Sequence, residues 1–408
     1  MNQSTTLPVT ATFNNLKNTF LAVILMLSGA LYLYQQQGEH QALLLLLGGS
    51  LGLTLYHASF GFTTAWRSLV IDRRGRGLRA QMLMLAIAVC LIFPALSSGT
   101  LFGNEVRGYV RPLGFSVLAG AFIFGIGMQL GNGCGSGNLY HAGGGQLRAI
   151  PSIIGFMFGA LWATADYEWW TTLPQLLPIS SIDSLGLMPA IISNLILFAM
   201  IAGFSVWLEK RRYGSLEKDD AGSALPLSRR LLRGPWPFIW GGISLALLNF
   251  AVLAITGYPW SVALSYPLWG AKAALWLDEA LSLGLELDLD FWSYWLQPGR
   301  ESALGESILQ DTVSVMNIGI LLGAFLAAAL AGKFSWQWRI PLLHWLAAAI
   351  GGVLLGYGST ISFGCNIGAY FGGIVSGSLH GWLWLVAAFI GSMVGTQLRP
   401  LFRLDKTA

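Results

Sequence analysis

The sequence predicts an all-α membrane protein with about ten transmembrane helices plus four short re-entrant helices, built as two inverted repeats. Three observations predict it. Of 408 residues, 54% are hydrophobic and 10% charged, more apolar surface than a soluble core can hide, so the chain needs lipid. Apolar stretches of about 20 residues, the length that crosses a bilayer as a helix, recur from end to end. One phrase also occurs twice: Gly131-Asn132-Gly133-Cys134-Gly135-Ser136-Gly137 and Ser362-Phe363-Gly364-Cys365-Asn366-Ile367-Gly368. A single offset of 231 carries Gly120, Gly125, Gly127, Gly133, Cys134 and Gly137 onto Gly351, Gly356, Gly358, Gly364, Cys365 and Gly368. Five glycines and two of only three cysteines at one offset mark an internal repeat.

Residues 1–17 are polar, with Lys17 the only charge, and 18–34 are apolar; no small-residue cleavage site precedes Gln35-Gln36-Gln37, so this reads as an uncleaved first span. A second run, 41–58, ends in a stretch too polar to cross, followed by Arg67, Arg73, Arg74, Arg76 and Arg79. Spans follow at 79–97, 113–131, 147–166 and 187–208. The charged linker 209–234 divides the halves, after which spans read at 235–256, 307–332, 341–361 and 381–398. A Pro- and Gly-broken stretch, Tyr258 to Trp276, and the acidic loop 278–306 lie between the first two.

Orientation follows from the excess of Lys and Arg in short cytoplasmic loops. Segments 67–79, 209–233, 333–339 and 399–406 are basic, hence inside with both termini; the loops near 39, 105, 166–183 and 278–306 carry most of the acids, hence outside. Ten crossings satisfy these assignments if 59–71, 132–146, 258–277 and 362–378 dip in and return on the same side. The span before Cys134 then runs inward and the span before Cys365 outward, so the repeats are inverted. The expected units are 1–36, an extra span; 37–186, the first half; 187–234, a connecting span and linker; and 235–408, the second half. Such repeats with broken helices place a binding site at the midplane, where they meet.

Several classes are excluded. Three cysteines without a CxxC pair and five scattered histidines form no metal-ligand pattern, and no nucleotide-binding Gly-x-x-x-x-Gly-Lys motif is present. No cofactor is expected. A net charge of +4 and a pI near 9.0 suggest nucleic-acid binding only until the charges are placed in loops. The partner they indicate is the lipid bilayer.

Unpaired backbone groups in lipid cost several kcal/mol, so the glycine-rich phrases predict a lined cavity where half-helices begin, their free N–H groups facing an anion. Gly-rich helices also pack for stability alone, and a buried Cys is often a small hydrophobe. Matched cysteines favour the pathway. Cys134 and Cys365 are therefore the candidate solute contacts, as neutral thiols able to donate S–H, with Asn132, Gly133, Gly135, Asn138, Gly364 and Asn366 lining a throat. Arg67 and Lys272, ionisable groups at apolar stretches, would draw an anion to each mouth, although anchoring explains Arg67 as well. His141 and His380 follow the dips as polar groups, and Cys90, without a counterpart, reads as packing.

The paired Gly-Cys phrases, Tyr266-Pro267-Leu268-Trp269-Gly270-Ala271-Lys272 and Phe62-Thr63-Thr64-Ala65-Trp66-Arg67 together resemble the YeeE/YedE family of bacterial inner-membrane proteins. The resemblance implies an hourglass fold with short helices dipping from both sides, and uptake of sulfur compounds, thiosulfate in one branch. Conserved cysteines along the family's central path match Cys134 and Cys365. A third family cysteine aligns with Gly61, so a three-thiol relay is incomplete, and similarly long relatives are associated with selenium metabolism. Two other readings stay open: a membrane sulfur or selenium redox protein passing persulfide with a sulfurtransferase, and a scaffold for a sulfurtransferase or tail-anchored protein.

Overall fold

The computed structural model describes residues 9–219, 225–284, 287–336 and 340–404. Asp220, Glu286, Arg339, Asp405 and Lys406, charges in the segments used above for orientation, lie outside them. Nine helices among the described residues are long and apolar enough to cross a membrane, and a tenth, Ala149–Ala165, is apolar but shorter. Their cores are α1 (Val9–Gln37), α2 (Glu39–Ala58), α4 (Arg76–Ser98), α5 (Phe115–Leu130), α7 (Ala149–Ala165), α8 (Leu187–Tyr213), α9 (Phe238–Thr256), α11 (Thr312–Leu330), α12 (Leu342–Ile361) and α14 (Leu379–Leu398). Among the shorter helices between them, four segments fall where the sequence predicts dips: α3 (Phe62–Asp72), α6 (Gly135–Gly143), α10 (Ser265–Leu281) and a π-helical turn, Asn366–Phe371, that runs into α13 (Gly372–Val375). Sheet is confined, among the described residues, to two ladders of two-residue strands in the loops near 100–114 and 175–176. The chain is an all-α membrane protein.

Small residues set how closely the long helices approach, as expected where lipid supplies no hydrophobic drive and packing must. Gly49 on α2 and Gly323 on α11 meet backbone to backbone, with no room for a side chain. Gly48 faces Met316 and Gly52 faces Ile320, so α2 and α11 run in the same direction. By the same logic α7 runs with α12 (Gly155 at Ala349, Gly159 at Val353), and α5 with α14 (Gly391 at Phe122, Gly395 at Ile126). In contrast, Gly120 meets Gly358 and Gly127 meets Gly351, so α5 and α12, the helices that lead into the two cysteine phrases, are antiparallel.

Each short segment leaves and rejoins the same end of the bundle. The basic end holds the Arg74–Glu209 and Arg79–Glu209 ion pairs, at 3.1 and 2.8 Å, that tie the start of α4 to the end of α8. There Arg148, at the start of α7, donates to the carbonyl of Leu130 at the end of α5, across the excursion that contains α6. At the acidic end, Arg107 N–H donates to the Gly257 carbonyl at the end of α9. The chain then descends, Tyr266 stacks on Phe156 of α7 with ring centres 3.9 Å apart, and α10 climbs back beside α7, its Gly270 against Met157. The loop after α10 folds over this end, where Tyr294, Trp295 and Leu289 pack with Tyr167 and Leu268.

Candidate functional site

Both cysteine phrases fold into the same turn. Asn132 (φ 59°) and Phe363 (φ 64°) are left-handed, an unusual state for residues with a Cβ, and each reverses the chain two residues before its cysteine. Cys134 (φ −86°, ψ −168°) and Cys365 (φ −101°, ψ −165°) are then extended and cap the helical turn that follows. Cys134 O accepts from Asn138 N at 2.9 Å, and Cys365 O from Ala369 N at 2.8 Å. Asn138 and Ala369 are also 231 apart.

The two turns meet inside the bundle. Cys134 is 2% exposed and Cys365 fully buried. A Cβ placed on Gly135 would stand 3.5 Å from Cys365 Sγ, and one on Gly137 3.5 Å from Cys134 Sγ. The residue that follows the first thiol thus lies beside the second. Tyr266 Oη donates to the Gly135 carbonyl at 3.3 Å, and Val262 and Phe156 close the same side. Cys134 Sγ lies 3.5 Å from Ser136 Oγ. Around Cys365, several buried polar groups are unsatisfied: both carboxamide atoms of Asn366, Ser261 Oγ and Tyr370 Oη have no hydrogen-bond partner. A Cβ on Gly368 would lie 2.9 Å from Ser261 Oγ, so this glycine lets the second turn pack closely against that hydroxyl. Buried groups of this kind are normally paired, by protein, water or a polar solute.

The other candidate residues separate into groups. Gly133 and Gly364 sit in the turns, Gly364 with φ 143°. Arg67 Nη1 reaches Asn132 Oδ1 and Gln129 Oε1, each at 3.4 Å, at the basic end. Asn138 braces its turn, its amide donating to the Gly133 and Cys134 carbonyls at 3.2 and 3.1 Å. Lys272 lies at the acidic end, where Nζ donates to the Leu304 and Glu306 carbonyls at 2.8 and 2.6 Å and ties down the loop. His380 Nδ1 pairs with Ser378 Oγ at 2.8 Å, while Nε2 is unpartnered, as is Nδ1 of His141. Cys90 corrects an expectation: it is exposed on the outward side of α4 rather than packed. A Cβ on Gly61, the position of the expected third cysteine, would meet Thr64 Oγ1 at 2.9 Å and Tyr140 Oη at 3.5 Å, beside a cavity of about 380 Å³ at the basic end lined by His57, His141, Arg233 and Lys333.

Sequence reasoning missed two arginines. Arg111 and Arg300 line a small cavity at the acidic end that reaches Phe363 and Gly364. Burial pushes the Tyr294 phenol up, and the Arg300 guanidinium, with Arg111 acting more weakly, opposes that. The available signal was their side: Arg111 and Arg300 are cations in the loops near 105 and 278–306, which the sequence places outside.

A family described as sulphur transport matches residues 57–394. The "Thiosulfate transporter TsuA" of Spirochaeta thermophila is 25% identical over 368 residues, 88% of this chain and 98% of that protein. Its Escherichia coli namesake is 21% identical, covering 87% and 93% respectively. The "Probable transporter YedE" of Escherichia coli is 30% identical over 171 residues, 41% of this chain and 40% of its own length. With a family match that spans both cysteine phrases, this chain is a member of the sulphur transport (YeeE/YedE) family of multi-pass membrane proteins.

Proposed function

We propose that the chain carries a small sulfur-containing anion, thiosulfate or a close relative, across the bacterial inner membrane. The observation that carries this reading is the meeting of the two turns: two buried thiols, with Gly135 of one turn packed beside Cys365 of the other and the unpartnered Asn366 amide next to them. The relatives named as thiosulfate transporters support the choice of solute. The basic end faces the cytoplasm, by the positive-inside rule, and residues 37–186 and 235–408 are inverted halves. The antiparallel α5 and α12 and the matched turns support that inversion.

In this mechanism the anion meets Cys365 from outside and Cys134 next. Neutral S–H groups donate weakly to it, and the amide of Asn366 and the free N–H groups at the start of α6 take its oxygens. Asn132 and Arg67 receive it at the inner turn. With Gly61 in place of a third thiol, the relay has two members, and the anion passes directly to the inner cavity, where a sulfurtransferase would meet it.

Uptake of labelled thiosulfate, sulfite, sulfate and selenite into proteoliposomes, with Cys134→Ser and Cys365→Ser beside the wild type, tests this. Each substitution removes most thiosulfate uptake while leaving the protein folded. Wild-type entry of all four no faster than into empty vesicles ends the proposal.

A further inference from the structure

Two arginines converge on one small space at the acidic end. Arg111 comes from the segment between α4 and α5, and Arg300 from the loop between α10 and α11; their cavity also includes Gln297 and ends at Phe363 and Gly364, one residue short of Cys365. Arg300 Cζ lies 3.9 Å from the centre of the Tyr294 ring and Arg111 Cζ 5.9 Å from that of Phe363. Among the described residues neither forms an ion pair with a carboxylate. Asp311, which acts on the same Tyr294 phenol, is turned to the start of α11 and accepts from Ser314 N at 2.7 Å. A guanidinium resting on a ring keeps N–H donors at its edge for an oxyanion.

We propose that this cavity is an outer recognition site for a tetrahedral sulfur dianion, in which Arg111 and Arg300 hold the oxygens before the anion passes Phe363 to Cys365. The site rests on the transport reading and adds a basis for selectivity: two converging guanidiniums suit two negative charges, so sulfate competes and chloride does not. The cavity measures about 30 Å³, room for one or two waters. A dianion enters as Arg111 exchanges its contact with the Phe363 ring for a charge-assisted bond, which is the stronger of the two.

The test uses the full chain in phosphatidylcholine proteoliposomes, with thiosulfate uptake measured against concentration. Arg111→Gln and Arg300→Gln each raise the apparent KM about tenfold, with the maximal rate within about twofold of wild type. Both also lose inhibition by external sulfate, and Arg300→Lys recovers part of each effect. An unchanged KM and unchanged sulfate inhibition in both Gln variants overturn the site while leaving transport intact. A second measurement needs no transport: sulfate titrated against tryptophan fluorescence in the Cys134→Ser/Cys365→Ser double variant, since Trp295 adjoins Tyr294. Saturable binding that disappears with either Gln substitution supports the site even if vesicles take up nothing, in which case the transport reading falls. Binding indifferent to both arginines overturns it.

Discussion

Asn132 and Phe363 adopt the same left-handed backbone, φ 59° and 64°, and each has an arginine against its side chain. Arg67 donates to Asn132 Oδ1 at 3.4 Å, and Arg111 lies 5.9 Å from the centre of the Phe363 ring. A left-handed residue with a Cβ costs about 1–2 kcal/mol, so the surrounding packing must hold both turns. One arginine approaches from the basic end and the other from the acidic end, and a buried thiol follows two residues after each turn.

Thiol accessibility separates the three cysteines. A lipid-soluble maleimide labels Cys90 first, because it is exposed on α4 while the other two are buried. Thiosulfate slows labelling of Cys134 and Cys365 and leaves Cys90 unaffected, as read by mass spectrometry of the labelled peptides. Equal protection of all three would mean that the anion acts by a general effect on the fold rather than at the paired turns.

Gly135 and Gly323 distinguish function from packing. A methyl at Gly135 meets Cys365 Sγ at 3.5 Å, an ordinary contact, so Gly135→Ala keeps the thermal midpoint and lowers uptake by filling the space beside the thiol. Gly323→Ala drives a methyl into the Gly49 carbonyl and destabilises the bundle by about 1–3 kcal/mol. Full uptake by a folded Gly135→Ala protein contradicts a solute path beside Cys365.

Arg67 and Lys272 have different expected effects although both are cations at apolar stretches. Arg67→Gln removes a donor at the inner turn and reduces uptake about tenfold, equivalent to roughly 1.4 kcal/mol of barrier. Lys272→Met releases the Leu304 and Glu306 carbonyls, lowering stability by about 1–2 kcal/mol with little change in uptake per folded protein. Paired uptake and thermal-unfolding measurements read both; the reverse pattern would return Lys272 to the pathway.

Glu209 is a structural lock. Its carboxylate, fully buried, accepts from Arg74, Arg79, Gly75 N and Glu217 N. Glu209→Gln leaves two guanidiniums without their counter-charge and destabilises the protein by about 3 kcal/mol. An unchanged unfolding midpoint in detergent would show that the junction between α4 and α8 does not depend on this charge.

The residues themselves determined that the chain lives in lipid, where its helices cross and where it bends, because apolar length and glycine placement act locally. The matched cysteine turns were legible for the same reason: Cys134 and Cys365 with their five glycines keep one spacing. Tertiary structure decided what touches what. Nothing in the order of residues brings Gly135 to Cys365, turns Lys272 away into loop carbonyls, or joins Arg111 to Arg300 across nearly two hundred positions. Those contacts depend on helices α5 and α12 meeting backbone to backbone and on a loop folding over one end, and such long-range packing is set by the fit of whole surfaces rather than by any local pattern.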